Sequence, residues 1–277
     1  MEPGLYLAAT PIGNLADITL RTLETLAGCN LIACEDTRVT GKLLKHYGIS
    51  TKTISYHEHN AESVGPKLIK EVQSGKSVVI VSDAGTPVVS DPGFRLVVSA
   101  HEAKIPVWPL PGASAPLAAL VKSGFDAETW TFAGFLPTKQ GARRTRLKVL
   151  SNIPSTLIFF ESPNRLQKSF MDMKSVFGGA RKVCVLRELT KLHEDMVTGS
   201  LDELIDHYNG KTLKGEIVVV LEPPVEQEVA DPEMLIQELL KTMSVGDAAS
   251  EAASLTGRSK RDLYQIALEL KKNNKSA

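Results

Sequence analysis

Residues 77–97 read SVVIVSDAGTPVVSDPGFRLV. Val78 to Ser82 have the length and apolar content of a buried strand. The chain then turns small and polar: Asp83-Ala84-Gly85-Thr86-Pro87 is followed by a near echo, Ser90-Asp91-Pro92-Gly93, before apolar residues resume. A turn needs only one or two such residues. Two Asp, two Gly and two Pro directly after a core strand exceed that need and point to a ligand loop.

Outward from this stretch, strand-like runs alternate with helical patterns. Leu5–Ala9, Leu31–Cys34, Thr53–Tyr56, Val78–Ser82 and Val107–Leu110 read as strands, with helices near 17–28, 38–47, 61–74, 94–103 and 115–124. The 61–74 segment sets Val64, Leu68, Ile69 and Val72 at amphipathic spacing. Such alternation implies crossover units and a largely parallel sheet. A second series follows at Thr129–Ala133, Thr156–Phe160, Lys182–Leu186 and Glu216–Leu221, bridged by helices near 140–151, 163–177 and 201–208. Pro223-Pro224 stops the last strand, and PPVEQEVADP reads as a linker. The expectation is an α/β protein of two lobes, 1–124 and 125–224. A three-helix extension over 232–277 suits either a helix-turn-helix-like unit or a helical cap.

The whole chain fits this reading. Its 277 residues leave ample length for a core, and 43% apolar with 23% charged residues is ordinary for a soluble globular protein. Lys+Arg and Asp+Glu are both 32, which excludes a protein basic all over but not a local basic patch. Cys29, Cys34 and Cys184 form no paired motif and read as buried thiols of a reducing cytosol. No secretory leader and no bilayer-length apolar run is legible, so a cytoplasmic protein without membrane contact is expected.

Familiar phosphate and metal motifs are missing. Gly75-Lys76-Ser77 resembles the end of a Walker A loop, but Lys70 stands where its first glycine belongs, and the segment precedes a strand. No GxGxxG follows a strand, and there is no GxSxG elbow. His57-Glu58-His59 could present two imidazoles, yet no third metal ligand is legible. A polar strand end is the better reading, and no metal is expected.

Four strand ends are rich in small and Pro residues: Thr10-Pro11-Ile12-Gly13-Asn14, Ser82 to Gly93, Pro111-Gly112-Ala113-Ser114-Ala115, and Gly134-Phe135-Leu136-Pro137. In a parallel sheet ligands bind beyond the carboxyl ends of the strands, where these loops gather. Ordinary turn chemistry explains any one of them; together they describe a pocket. The ordered motifs TPIGNLADIT, CEDTR, SDAGTPVVSDPG, PGASA, FAGFLP, FFESPNR and VLRELTKLHED resemble the ribosomal RNA small-subunit methyltransferase I family, over about residues 4–222. That family belongs to the tetrapyrrole methylase superfamily. The resemblance implies two α/β lobes with S-adenosylmethionine between them. It also implies methylation of the ribose 2′-hydroxyl of a cytidine in 16S rRNA, in the decoding region of the small ribosomal subunit, by a homodimer. It further implies that Gly85, Thr86, Pro87 and Ser90 line the donor site and that Asp83 ties their loop down. Pro11, Gly13, Ser114 and Ala115 would add walls, while Phe132 and the stretches 186–188 and 215–217 would close the cleft.

Transfer to a ribose hydroxyl is an in-line displacement that needs alignment and removal of one proton. Glu35, Asp36, Arg38, Glu161, Arg165, Arg187, Glu188, Lys191 and Glu194 are candidates, each with a structural ion pair as its plain alternative. Lys191 and Glu188 lead, Asp36 and Arg38 follow, and the base is unassigned. For RNA, the segment 139–148 supplies Lys139, Arg143, Arg144, Arg146 and Lys148. The tail adds Arg258, Lys260, Arg261, Lys271 and Lys272. A solvated helix face is the alternative for the 139–148 run. Two rival readings are a tetrapyrrole or protein methyltransferase of the same superfamily, and a nucleic-acid-binding regulator.

Overall fold

The computed structural model describes residues 1–90, 93–224, 232–256 and 259–273. Asp91 and Pro92 of the ligand loop, the 225–231 stretch of the linker, Gly257 and Arg258 lie outside the described residues.

Five strands form the first sheet: β1 (Gly4–Ala8), β2 (Leu31–Cys34), β3 (Thr53–Ser55), β4 (Ser77–Val81) and β5 (Val107–Leu110). All its pairings are parallel, in the order β3-β2-β4-β1-β5. Central β4 is buried at every position. Its successive side chains feed opposite faces, as a strand's two-residue period requires. On one face Val78 and Ile80 meet Leu68 and Val72 of α3 (Ala61–Gln73) and Leu96 and Ala100 of α4 (Phe94–Glu102). On the other, Val79 and Val81 meet Leu26 of α1 (Leu20–Gly28) and Leu43 and Leu44 of α2 (Thr37–His46). Connections leaving β1 and β4 therefore depart on opposite faces, and these two strands are neighbours. Their carboxyl ends form the switch point at which an open α/β sheet leaves a crevice.

The second sheet contains β6 (Trp130–Phe135), β7 (Thr156–Glu161), β8 (Lys182–Arg187), β9 (Asp195–Ser200) and β10 (Ile217–Leu221), in the order β6-β7-β10-β8-β9. Only β6 and β7 pair in parallel. One face carries α6 (Gln140–Leu150), α7 (Leu166–Phe177) and α8 (Leu201–Tyr208), with Leu147, Phe170 and Leu204 in the core. The other face, with Ile158, Leu186 and Val218, packs on Ala119 and Leu120 of α5 (Ala115–Ser123) and on Ile12 from the loop after β1. Thus α5 follows the first sheet in sequence but buries its side chains on the second. Strand β9 lacks a sequence expectation because it is an edge strand whose residues are exposed or half-buried, leaving no apolar alternation to read.

A separate unit holds α9 (Pro232–Leu239), α10 (Val245–Thr256) and α11 (Lys260–Asn273), packed about Ile236, Ala249, Ala252, Leu263 and Ala267. Among the described residues no helix is long and apolar enough to cross a membrane.

Candidate active site

The loops after β1 and β4 are joined at the switch point. Thr10 and Gly85 exchange both backbone hydrogen bonds, at 2.9 and 3.0 Å, and the Thr10 hydroxyl donates to the Ser82 carbonyl at 3.1 Å. Gly85 has φ +77°, which glycine adopts freely. Val88 (φ +76°) and Ser90 (φ +64°) take the same left-handed region without that freedom. Strain of this kind, about 1–3 kcal/mol per residue, characteristically collects at ligand sites. The Thr86 hydroxyl donates to the Ala113 carbonyl at 3.3 Å and ties the β4 loop to the one after β5.

These loops bound a cavity of about 440 Å³ between the two sheets. Gly85, Thr86, Ser90, Ser114 and Ala115 line one side, while Leu186 and residues 215–218 line the other. Pro87 is buried outside this wall. Phe132 corrects an expectation: it packs edge-on to Phe160, ring centroids 4.9 Å apart, whereas Phe160 and Phe135 form the cavity wall. A bulge between Phe132 and Phe135, at Gly134 with φ +65°, is responsible. The inserted residue brings Phe135 to the same Phe160 ring, at 5.4 Å.

A second cavity, of about 350 Å³, adjoins the first and is lined by Pro11, Gly13, Leu15, Val39, Lys42 and Lys191 among others. Ile12, Asp83, Ala84 and Glu216 belong to both walls. Lys191 is held between two carboxylates, donating to Glu188 Oε1 at 2.8 Å and to Glu216 Oε2 at 3.0 Å. Its loop is shaped by left-handed Glu188 (φ +53°) and Thr190 (φ +65°). Glu194 pins it further, accepting from Thr190 N–H and from Lys122. Burial alone would lower the Lys191 pKa, but the bonds to Glu188 and Glu216 prevail and hold it above the usual lysine range. The Glu188 carboxyl is held below its usual range, chiefly by Lys191 and by the Glu216 N–H. The pair is therefore an ammonium and a carboxylate, not a neutral base.

Gly13 makes this junction possible. A Cβ there would lie 2.5 Å from Lys191 Cγ and 2.9 Å from the Leu189 carbonyl oxygen, which belongs to backbone. Gly13→Ala is expected to part the loops and lower turnover more than tenfold, since displacements near 1 Å can cost about 10²-fold. Single-turnover assays beside thermal melts check this; the melt should shift only a few degrees.

Other candidates settle elsewhere. Asp36 caps α2, accepting from Arg38 N–H at 2.8 Å, and pairs with the Arg38 guanidinium at 2.6 Å. The side-chain and backbone bonds from Arg38 push the Asp36 carboxyl down to about 2. Neither residue lines these two cavities. The Asp36 N–H donates to Asp83 Oδ1 at 3.0 Å, a bond between the loop after β4 and the one after β2. Glu161 lines the first cavity, and its carboxylate accepts from Ser162 N–H and Ser169 and pairs with Arg165. His57 and His59 line neither cavity. Among the described residues no group of three or more His, Cys, Asp or Glu side chains is disposed to hold a metal ion.

Arg143 corrects a second expectation. It is buried, with its guanidinium 2.6 Å from Asp172, which is itself fully buried. It faces inward with Leu147 and Leu150. A phosphate cannot reach it there. Lys139, Arg144, Arg146 and Lys148 are exposed, with Arg144 also bonded to Asp172.

Residues 4–205 match the tetrapyrrole (corrin/porphyrin) methylases, and residues 226–271 match the RsmI C-terminal HTH domain. The ribosomal RNA small subunit methyltransferase I of Mesorhizobium japonicum is 56% identical over 98% of this chain and 93% of its own length. The chain belongs to the ribosomal RNA small subunit methyltransferase I family, among the tetrapyrrole methylases. The methyltransferase I of Halalkalibacterium halodurans, 44% identical, shares 95% of this chain and 93% of its own length. Solved structures give the fold. Uroporphyrin-III C-methyltransferase from Thermus thermophilus, complexed with S-adenosyl homocysteine, superposes with TM-score 0.57 at 17% identity, over 78% of this chain and 96% of its own. Diphthine synthase superposes with TM-score 0.61 at 16% identity, over 79% of this chain and 89% of its own.

Proposed function

We propose that this methyltransferase moves a methyl group from S-adenosylmethionine to the ribose 2′-hydroxyl of a cytidine in 16S rRNA of the small ribosomal subunit. The observation that carries the reading is the pair of adjoining cavities at the switch point, the first mainly apolar and the second carrying the Lys191 cation. The first suits the donor, with the rings of Phe135 and Phe160, apolar Ile12, Leu186 and Val218, and loop backbone at Gly85 and Ser114. Aromatic faces favour a cationic group, and loop amides and carbonyls can read the edge of a base. The bound donor supplies a methyl carbon already activated by a positive sulfur.

Lys191, kept as an ammonium by Glu188 and Glu216, would steady negative charge developing on the acceptor oxygen. Asp36 takes a positioning role through the N–H that holds Asp83. The names of the close relatives support rRNA as acceptor, and the bound S-adenosyl homocysteine of the Thermus structure supports the donor class. No metal takes part in this reading. The enzyme acts in the cytoplasm as a homodimer, which sedimentation at assay concentration tests. Titration calorimetry with S-adenosylmethionine tests the donor site: saturable binding, one molecule per chain, is expected. Absence of binding would contradict the reading.

The exposed cations Lys139, Arg144, Arg146 and Lys148 are assigned to RNA phosphates. Arg146→Ala with Lys148→Ala should weaken subunit binding and flatten its salt dependence, by about 1 unit of log–log slope per lost contact. Arg143→Ala should lower stability instead. Filter binding across a salt series, beside melts, separates the two effects.

A further inference from the structure

Proton removal has no residue in the account so far, because Lys191 is cationic and Glu188 is held as a stabilised carboxylate. Four residues belong to the walls of both cavities. Ile12 and Ala84 carry no acceptor in their side chains. The Glu216 carboxylate is engaged by the Lys191 ammonium at 3.0 Å. Asp83 remains. Its Oδ1 accepts from the Asp36 N–H at 3.0 Å, which fixes the orientation of the carboxylate. Among the described residues its carboxylate makes no other hydrogen bond and no ion pair.

We propose that the second cavity receives the acceptor ribose and that Asp83, at its border with the donor cavity, is the general base for the 2′-hydroxyl. The inference rests on the function proposed above. Balance is simple. The hydroxyl proton passes to the Asp83 carboxylate, the oxygen bonds to the methyl carbon of the donor, and the carbon–sulfur electron pair stays on sulfur as a neutral thioether. Lys191 lies on the same cavity wall, where its charge favours the forming oxyanion. Lys42, on that wall from α2, offers a cation to an adjacent phosphate. A nucleotide would have to be unstacked to enter, as is usual where single-stranded RNA is read.

Electrostatics agree with this geometry. Burial raises the Asp83 pKa above the usual aspartate range, the Asp36 N–H opposes the rise, the Asp36 charge adds to it, and Arg38 opposes it. Cys34, with its thiol pushed up by burial, also lies within the electrostatic reach of Asp83. From the cavity walls Glu35, Lys42, Lys191 and Glu216 complete the charged surroundings. A base works best when its pKa approaches the working pH, and a raised carboxylate moves in that direction.

The test compares wild type with Asp83→Asn, whose amide oxygen can still accept from Asp36 N–H. Calorimetry with S-adenosylmethionine should still show saturable donor binding, because the retained bond from Asp36 N–H keeps the loop in place. Single-turnover methylation of small subunits should fall by about 10²–10⁴-fold, the usual contribution of a general base. The wild-type rate should decline in acid as Asp83 protonates, and that limb should vanish in the variant. Difference infrared spectroscopy should show a carboxyl band titrating above the ordinary aspartate range that is missing from Asp83→Asn. Leu15→Trp, which fills the second cavity from a half-exposed position, should block methylation while donor binding persists. Wild-type rate and acid limb in Asp83→Asn would overturn the assignment alone. No transfer by the wild-type enzyme, with donor bound, would overturn the proposed function and the assignment with it.

Discussion

Lys191→Ala should lower the single-turnover rate of methyl transfer by about 10²–10³-fold, the range for losing one charge-stabilising donor at a reacting oxygen. Donor affinity should stay near the wild-type value, because Lys191 lines the second cavity and not the first. Its side chain is 28% exposed, so the melting temperature should move little. Lys191→Arg keeps the charge, but a planar fork cannot replace an ammonium that bonds Glu188 and Glu216 from a single nitrogen. It should recover only part of the rate.

The pH dependence follows from the two shifts. Glu188 is depressed, so its contribution is present above the ordinary carboxylate range and is lost as pH falls through its lowered folded value. Lys191 is raised, so its contribution is present below the ordinary lysine value, about 10.4, and is lost as pH rises through its higher folded value. Between these limits the pair stays charged and produces no change in rate. An acid limb nearer neutrality therefore belongs to another group, for which Asp83 is the candidate. A Lys191→Ala enzyme that turned over at the wild-type rate would remove Lys191 from the account.

The second large effect concerns stability. Asp172 is fully buried and accepts from the Arg143 guanidinium at 2.8 Å, from Arg144 at 2.6 Å and from Gln140 at 3.2 Å. Arg143 also donates to the carbonyls of Pro137 and Thr138, joining α6, α7 and the loop after β6. Asp172→Ala would leave a buried guanidinium without its counter-charge, at a cost of about 3–5 kcal/mol. In the compact unit Met1–Pro223, at about 2–4 °C per kcal/mol, that corresponds to a melting temperature lower by roughly 10 °C. Replacing both partners, as Arg143→Met with Asp172→Leu, should recover most of the loss, because the cost lies in the orphaned charge.

The sign with pH is definite. Burial would raise the Asp172 carboxyl, but the bonds from Arg144, Arg143 and Gln140 outweigh it and hold it below the usual range. The stabilisation is therefore complete above the unfolded value of about 3.9. It is lost as pH falls through the lower folded value, so wild-type and Asp172→Ala melting curves should converge in acid. Calorimetric melts across pH check this. A loss below about 1 kcal/mol at neutral pH would show that the pair behaves as an exposed one.

These two sites also show what the sequence could convey. Strand β4 and helix α3 were legible because an apolar run and an amphipathic period are local properties. The ligand loop was legible as a surplus of Gly, Pro and Asp after a core strand. Arg143 stands four residues before Leu147 and seven before Leu150, the spacing of one helix face, so its burial was in principle readable. Its partner lies 29 residues away and was not. Glu188 and Lys191 are close enough in sequence to pair, whereas Glu216 lies 28 residues from Glu188 and reaches them only in the fold, through its N–H to the Glu188 carboxylate at 2.9 Å and its carboxylate to Lys191 at 3.0 Å. The bulge that turns Phe135 rather than Phe132 toward the cavity is a register effect, invisible to a period-two reading. Asp83 was legible as a loop residue. Its place on the border of two cavities comes from the meeting of two lobes.

The most direct measurement is methyl transfer from labelled S-adenosylmethionine to small ribosomal subunits taken from cells lacking this protein, followed by nucleoside analysis. The account predicts label in 2′-O-methylcytidine. Label in a base or in protein, or none at all with the donor bound, would contradict it.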